Sequence, residues 1–320
     1  MLSRTADHLY WMARYTERAE NTARMLDANY QLSLLPQSDE YAEAGWRAML
    51  TISELSGVYA ARYQSMKSGE VIAFMARDTT NQSSILNCLR AARENARAVR
   101  GAITTELWET INTTWLDCQR LLADGALERD PREFFEWVKF RSHLSRGVQH
   151  GTMVMDRAYD FMRLGMFLER ADNTARILDV KFSMREQKTP ASAESFDYYH
   201  WAAVLRSVTG LEAYRKVYRD VFTPERVAEL LILHGVWPRS LAASMYEVNE
   251  LIKRVRIARS AETERFAEQL WSELRHGRID DILKSGLHAY LTDFLARVND
   301  LASHVSKDFL VPLADEAVVS

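Results

Sequence analysis

The sequence predicts an all-α protein, and three observations carry that expectation. Helix-forming residues dominate almost every window. No stretch keeps a period-two alternation of Val, Ile and Thr between turn signals. Helix caps and stops recur along the chain. With 47% hydrophobic and 27% charged residues, the composition is that of a folded chain rather than a disordered one. At 320 residues, one large helical body or two fused halves are both allowed.

Ser3 is placed to cap a first helix running towards Pro36, and Asp39 opens a second that continues to about Tyr63 despite Gly57. Helices over 69–77, 81–100 and 105–122 follow, the last closed by Asp124-Gly125. Asp130 then reads as an N-cap with Pro131 at the first helical position, starting a helix through Phe134, Trp137 and Phe140. A long helix fills Met155 to about Arg185, and residues 187–196 form the best linker candidate. Beyond it Thr223-Pro224 starts one helix, Pro238 separates the next, and Gly277 and Gly286 mark breaks before a final helix ending near Leu310. The expected organisation is a single domain over 1–310, with halves of about 1–150 and 151–310, and a flexible tail over 311–320.

A net charge of -3 gives no broad attraction for nucleic acid or anionic lipid, so neither is an expected partner. Arginine outnumbers lysine 33 to 8, a bias towards planar, bidentate grips on carboxylate or phosphate. Cys88 and Cys118 lie far apart with no CxxC, which supports neither zinc nor a disulfide framework. No signal-peptide core opens the chain and no apolar run reaches the roughly 18–20 residues that span a bilayer, so the expected location is the cytoplasm.

The most informative feature is a repeat. Tyr15-Thr16-Glu17-Arg18-Ala19-Glu20-Asn21-Thr22-Ala23-Arg24-Met25-Leu26-Asp27 aligns without gaps on Phe167-Leu168-Glu169-Arg170-Ala171-Asp172-Asn173-Thr174-Ala175-Arg176-Ile177-Leu178-Asp179, identical at nine of thirteen positions. An internal duplication explains it. At the helical angle of about 100° per residue, Glu17, Asn21 and Arg24 fall within about 60° of one another, as do Glu169, Asn173 and Arg176. In the first copy Met12, Tyr15, Ala19 and Leu26 point the other way and would leave Glu17 in solvent. In the second, Met162, Met166, Val180 and Met184 flank the Glu169 stripe while Phe167, Ala171, Leu178 and Phe182 line the opposite side, so that helix is buried with its polar stripe. Buried charges must be paired.

These twin runs resemble the Glu-Arg motifs of the alpha-E family, an α-helical domain. The resemblance extends to Leu2-Ser3-Arg4-Thr5-Ala6 with Leu9-Tyr10-Trp11, to Ala91-Ala92-Arg93-Glu94-Asn95-Ala96-Arg97 with Trp108 and Asn112, to Gly151-Thr152-Met153 and to Pro238-Arg239-Ser240, and so covers most of the chain. It implies association with a circularly permuted ATP-grasp protein, and with transglutaminase-like proteins, in amide- or peptide-forming systems. ATP and magnesium would enter through that partner, and this chain would bind or condense an amino-acid or peptide-like substrate. One departure stands out: where Gly-Arg is expected before each motif, Ala13-Arg14 precedes the first and Gly165-Met166 the second.

Two readings of the stripes stay open. They form a buried ion-pair network that fixes how two helices meet, as in a non-catalytic scaffold, or they form a site. In the site reading Glu17 and Glu169 hold an ammonium or act as bases, while Arg14, Arg18, Asn21, Arg24, Arg170, Asn173 and Arg176 bind substrate. If the motif helices meet about a two-fold axis and run antiparallel, Glu17 faces Arg176 and Glu169 faces Arg24. Arg90, Arg93, Arg97 and Arg100 make a basic stripe suited to an anion or acidic partner, or simply a solvated face partly neutralised by Glu94. A metal-dependent helical bundle needs paired Glu-x-x-His motifs, whereas only Glu273-x-x-His276 fits, so no metal is expected. No Walker A, GxGxxG or nucleophile-elbow pattern occurs.

Overall fold

The computed structural model describes residues 1–36, 38–186 and 193–310. Among them the chain is helical without strands. The first series of helices is α1 (Ser3–Ser33), α2 (Asp39–Ile52), α3 (Ser56–Ala60), α4 (Ser68–Ala76), α5 (Ile85–Ala98), α6 (Thr105–Ala123), α7 (Ala126–Arg129) and α8 (Pro131–Thr152). The second is α9 (Arg157–Glu186), α10 (Ala193–Ser207), α11 (Leu211–Tyr218), α12 (Pro224–Leu233), α13 (Leu241–Val255), α14 (Ala261–His276), α15 (Ile279–Ser285) and α16 (Leu287–Val305). Each helix of the second series starts 153 to 156 residues after its counterpart, as Arg157 follows Ser3 and Leu241 follows Ile85. The duplication visible in thirteen residues of sequence is therefore visible in the helix order of the whole described chain.

Packing repeats with it. α5 and α8 lie on α1 as α13 and α16 lie on α9, and α6 bridges α5 and α8 as α14 bridges α13 and α16. At the centre α1 packs along α9. Tyr10 meets Gly165, Arg14 meets Glu169, Glu17 meets Arg170, and Met25 and Ile177 wall the same small cavity. Because both sets of numbers rise together, the motif helices run parallel, about a pseudo-two-fold axis lying along them. The antiparallel expectation fails for this reason.

Helix limits follow local chemistry. Ser84, Thr104, Thr223 and Ser240 accept a backbone N–H three residues on, and Asp130 accepts from Arg132 and Glu133 ahead of Pro131. Ser3 caps nothing: α1 already begins there, and Leu2 precedes it without a side-chain cap. The helix expected from Asp39 to Tyr63 breaks after Ile52, because Glu54 takes a left-handed backbone with φ 57°. Thr209, with φ 59°, makes the equivalent break between α10 and α11. Gly57, the expected weak point, sits inside α3. The final helix ends at Val305 and widens into a π turn over Ser306–Leu310. Of the expected linker, 187–192 lie outside the described residues, and the chain is helical again from Ala193; the tail over 311–320 also lies outside them.

No helix among the described residues is long and apolar enough to cross a membrane. Leu9, Leu26, Leu164 and Leu168 are fully buried where the central helices meet their neighbours, as are Trp46 on α2 and Trp201 on α10. Against that core the polar stripes are also buried: Glu17, Glu20, Asn21 and Arg24 of the first copy, and Glu169 and Arg170 of the second.

Candidate functional site

The two motifs cross-pair through the Glu-Arg dipeptide itself. Arg170 donates to both oxygens of Glu17, Nε to Oε1 at 3.0 Å and Nη2 to Oε2 at 3.1 Å. Arg18 does the same to Glu169, at 2.5 and 2.9 Å. The arginines expected opposite those carboxylates turn back along their own helices. Arg24 donates to Glu20 at 2.8 Å, and Arg176 grips Asp172 at 2.8 and 3.1 Å while also pairing with Glu54. In a parallel pair, neighbouring motif positions meet across the seam, which brings the carboxylate of one copy to the adjacent arginine of the other.

Around this symmetric frame the two halves are completed differently. In the first, Arg146 of α8 reaches Glu17 at 3.1 Å and Glu20 at 2.5 Å. Arg239, just before α13, reaches Glu17 at 3.0 Å, Glu20 at 2.7 Å and Asn21 at 2.8 Å. Arg170 also donates to the Pro238 carbonyl at 3.3 Å. Two buried carboxylates thus sit among four guanidinium groups, of which Arg24, Arg170 and Arg239 are buried and Arg146 is half-buried at the rim. Burial alone would raise the Glu17 and Glu20 carboxyls, but the surrounding arginines bring both below the ordinary range. The same crowding acts on Arg239, where burial, aided by repulsion from Arg170 and Arg24, lowers the guanidinium to about 10 despite its two carboxylates.

In the second half Glu169 receives Arg14 at 2.8 Å besides Arg18, and beyond them the structure opens. A cleft of about 240 Å³ lies between α1 and α9. Arg14, Arg18, Asn21, Glu169, Asn173 and Arg176 border it, joined by Asp172, Glu54, Ser83 and Asn299. Burial raises the Glu169 carboxyl, but Arg14 and then Arg18 outweigh it and hold the group at about 2. Asp172 goes the other way: burial raises it, and Arg176 offsets this only in part. Glu169 is therefore held as an anion, whereas burial outweighs the Arg176 pairing at Asp172.

A model of the alpha-E family, described as a predicted alpha-helical domain with a conserved ER motif, matches residues 1–310. The chain belongs to the alpha-E family. It is similar to an uncharacterised protein of Mycobacterium bovis, 23% identical over 92% of this chain and 35% of that one. Two uncharacterised Mycobacterium tuberculosis proteins match at 23% and 22% identity with the same coverage. This alpha-E chain thus spans about a third of the length of the curated relatives it matches. No solved structure matches it significantly.

The nine motif residues expected to act together divide in two. Glu17, Arg24 and Arg170 belong to the first-half cluster, and the other six border the cleft. Glu17 is buried in the alpha-E fold, so the first-copy pattern that would leave it in solvent is overturned. Arg14, whose counterpart is Met166, serves the Glu169 of the opposite copy rather than its own Glu17. Arg239 and Arg146 were not singled out by periodicity, being remote in sequence from the motif; the only signal was the Pro238-Arg239-Ser240 run. Asp172 stood in the repeat as the charge-preserving partner of Glu20, without a role.

The basic stripe does not join the site. Arg93 donates to Asn112 at 2.8 Å and to Glu94 at 2.5 Å, Arg97 pairs with Glu94, and Arg93 and Arg100 lie over Trp108. Arg90 is exposed. Glu273 is taken by Arg297 at 2.6 and 3.0 Å, and among the described residues no three metal-ligating side chains converge.

The fixed charge on Glu169 sets an acid dependence. Unfolded, this carboxyl titrates near its ordinary 4.5. A depressed folded value contributes stability above the unfolded one that is lost as pH falls through the folded one, here from about 4.5 towards about 2. The difference is worth roughly 3 kcal/mol. Urea unfolding between pH 5 and pH 2.5 should show Glu169→Gln losing less stability with acid than the unaltered chain; parallel losses would contradict the pairing.

Proposed function

We infer that the chain is the substrate-binding partner of an ATP-grasp type amide ligase, which activates a carboxylate with ATP and magnesium while this protein presents an amino-acid or peptide-like substrate in the cleft between α1 and α9. The observation that carries this reading is the composition of the cleft, where arginine, carboxylate and amide groups of both motifs face one small space. Such a set recognises a molecule bearing both an acid and an amine. About 240 Å³ falls below the roughly 300 Å³ at which drug-sized pockets begin, which suits an amino-acid-sized ligand. Support for a ligase partner comes from the family resemblance. The relatives, nearly three times as long, carry further sequence on the same polypeptide. A transglutaminase-like protein is a second candidate partner.

The first-half cluster favours the scaffold reading for that half alone, since its groups pair with one another and all but Arg146 are buried. Affinity purification of the tagged chain, followed by mass spectrometry of products formed with ATP, magnesium and an amino-acid mixture, tests the proposal. The expected result is an ATP-grasp protein in the eluate and a condensed product whose yield falls at least tenfold without this chain. A product unchanged by its removal would overturn it.

A further inference from the structure

Equivalent places in the two halves are filled by different side chains. Ser240 caps α13 and Arg239 stands immediately before it; Ser84 caps α5 and Ser83 stands immediately before it. Arg239 seats its fork on Asn21 Oδ1 at 2.8 Å, Glu17 Oε1 at 3.0 Å and Glu20 Oε1 at 2.7 Å. The repeat counterparts of those acceptors are Asn173, Glu169 and Asp172, and all three border the cleft together with Ser83. Serine cannot span what arginine spans. Likewise α8 sends Arg146 into the first cluster, while its counterpart α16 presents only Asn299 to the cleft. The cleft is the socket of Arg239 without its arginine.

A difference in charge accompanies the missing side chain. The first cluster holds Arg24, Arg146, Arg170 and Arg239 against Glu17 and Glu20, whereas the cleft sets Arg14, Arg18 and Arg176 against Glu54, Glu169 and Asp172, so its protein charges balance without the excess seen in the first half.

Resting on the substrate-site reading above, we propose that the cleft takes a small guanidinium compound of the arginine class, seated on Asp172, Asn173 and Glu169 as Arg239 is seated on Glu20, Asn21 and Glu17. A planar fork matches several oxygens at once, which a compact ammonium does not. The raised Asp172 carboxyl is in keeping with this, since Glu20, the same repeat position with its arginines in place, is lowered instead.

Calorimetric titration and thermal unfolding of the full chain with L-arginine, agmatine, L-citrulline and L-glutamate test the assignment. Arginine and agmatine are expected to bind one to one and raise Tm, and citrulline, with a neutral urea in place of the guanidinium, to bind at least tenfold more weakly. Asp172→Asn should weaken arginine at least tenfold. Ser83→Arg, which restores the repeat's own guanidinium, should abolish binding without lowering Tm. Citrulline as tight as arginine, or no binding of either guanidinium compound, overturns the assignment even if Ser83→Arg fails to fold. Glutamate binding in place of arginine would do so too while leaving the proposed function standing; that function fails separately, through unchanged product in the partner assay.

Discussion

Glu20→Gln is expected to lower the free energy of unfolding by roughly 3–5 kcal/mol, the penalty for removing one member of a buried ion pair and leaving its partners charged. Glu20 is fully buried and meets Arg24, Arg146 and Arg239. Its replacement leaves Glu17 as the one carboxylate among the four arginines of the cluster. The glutamine amide would also bring N–H donors towards guanidinium donors, so shape is kept while hydrogen bonding becomes repulsive. Urea titration at pH 7 reads the loss. A change under about 1 kcal/mol, the range of exposed pairs, would mean Glu20 is not shielded from water.

The second large effect comes from Gly165. A Cβ built there would lie 2.3 Å from the Tyr10 carbonyl oxygen and 3.2 Å from its Cα, so α1 and α9 touch backbone to backbone at this point. Alanine ordinarily gains about 1 kcal/mol over glycine inside a helix. Here that gain is opposed by a contact with rigid main chain rather than with a side chain able to turn away. Overpacking costs typically about 1–3 kcal/mol and more for larger groups. Gly165→Ala should lower Tm, and Gly165→Leu should lower it further or prevent folding, because the seam that aligns Glu17 with Arg170 and Glu169 with Arg18 must part. A rise in Tm for Gly165→Ala would contradict the close approach.

The all-α fold, the long helices at each motif and the starts at Asp130-Pro131 and Thr223-Pro224 were legible because they follow from periodicity and capping chemistry, whereas the helix expected over 81–100 begins only at Ile85, behind Ser84. The break at Glu54 was not legible, since a non-glycine residue takes the left-handed backbone there and no glycine or proline marks the position. Burial of the stripes was legible from the second copy, where apolar residues flank Glu169 on both sides. Their partners were not. Helix angle gives a residue's face but not the direction of the neighbouring helix, and the parallel seam moves the expected partner from Arg176 to Arg170. Arg146 and Arg239 arrive from elements more than a hundred residues away, beyond the reach of any local pattern. The cleft was hidden for a related reason: Ser83 and Asn299 border it while Arg239 and Arg146 fill the first cluster, and all four lie outside the thirteen-residue repeat.

The central claim is that one copy of a duplicated polar stripe is closed by the protein's own arginines while the other is left open for a ligand. Glu20 and Asp172 hold the same repeat position, so removing one charge from each is the most direct comparison. Unfolding of Glu20→Gln and Asp172→Asn, measured side by side at pH 7, is predicted to give opposite results. The Glu20 variant should lose roughly 3–5 kcal/mol. The Asp172 variant should match or exceed the unaltered chain, because a carboxyl whose folded pKa is raised opposes folding wherever it is ionised. Equal losses at the two positions would contradict the account.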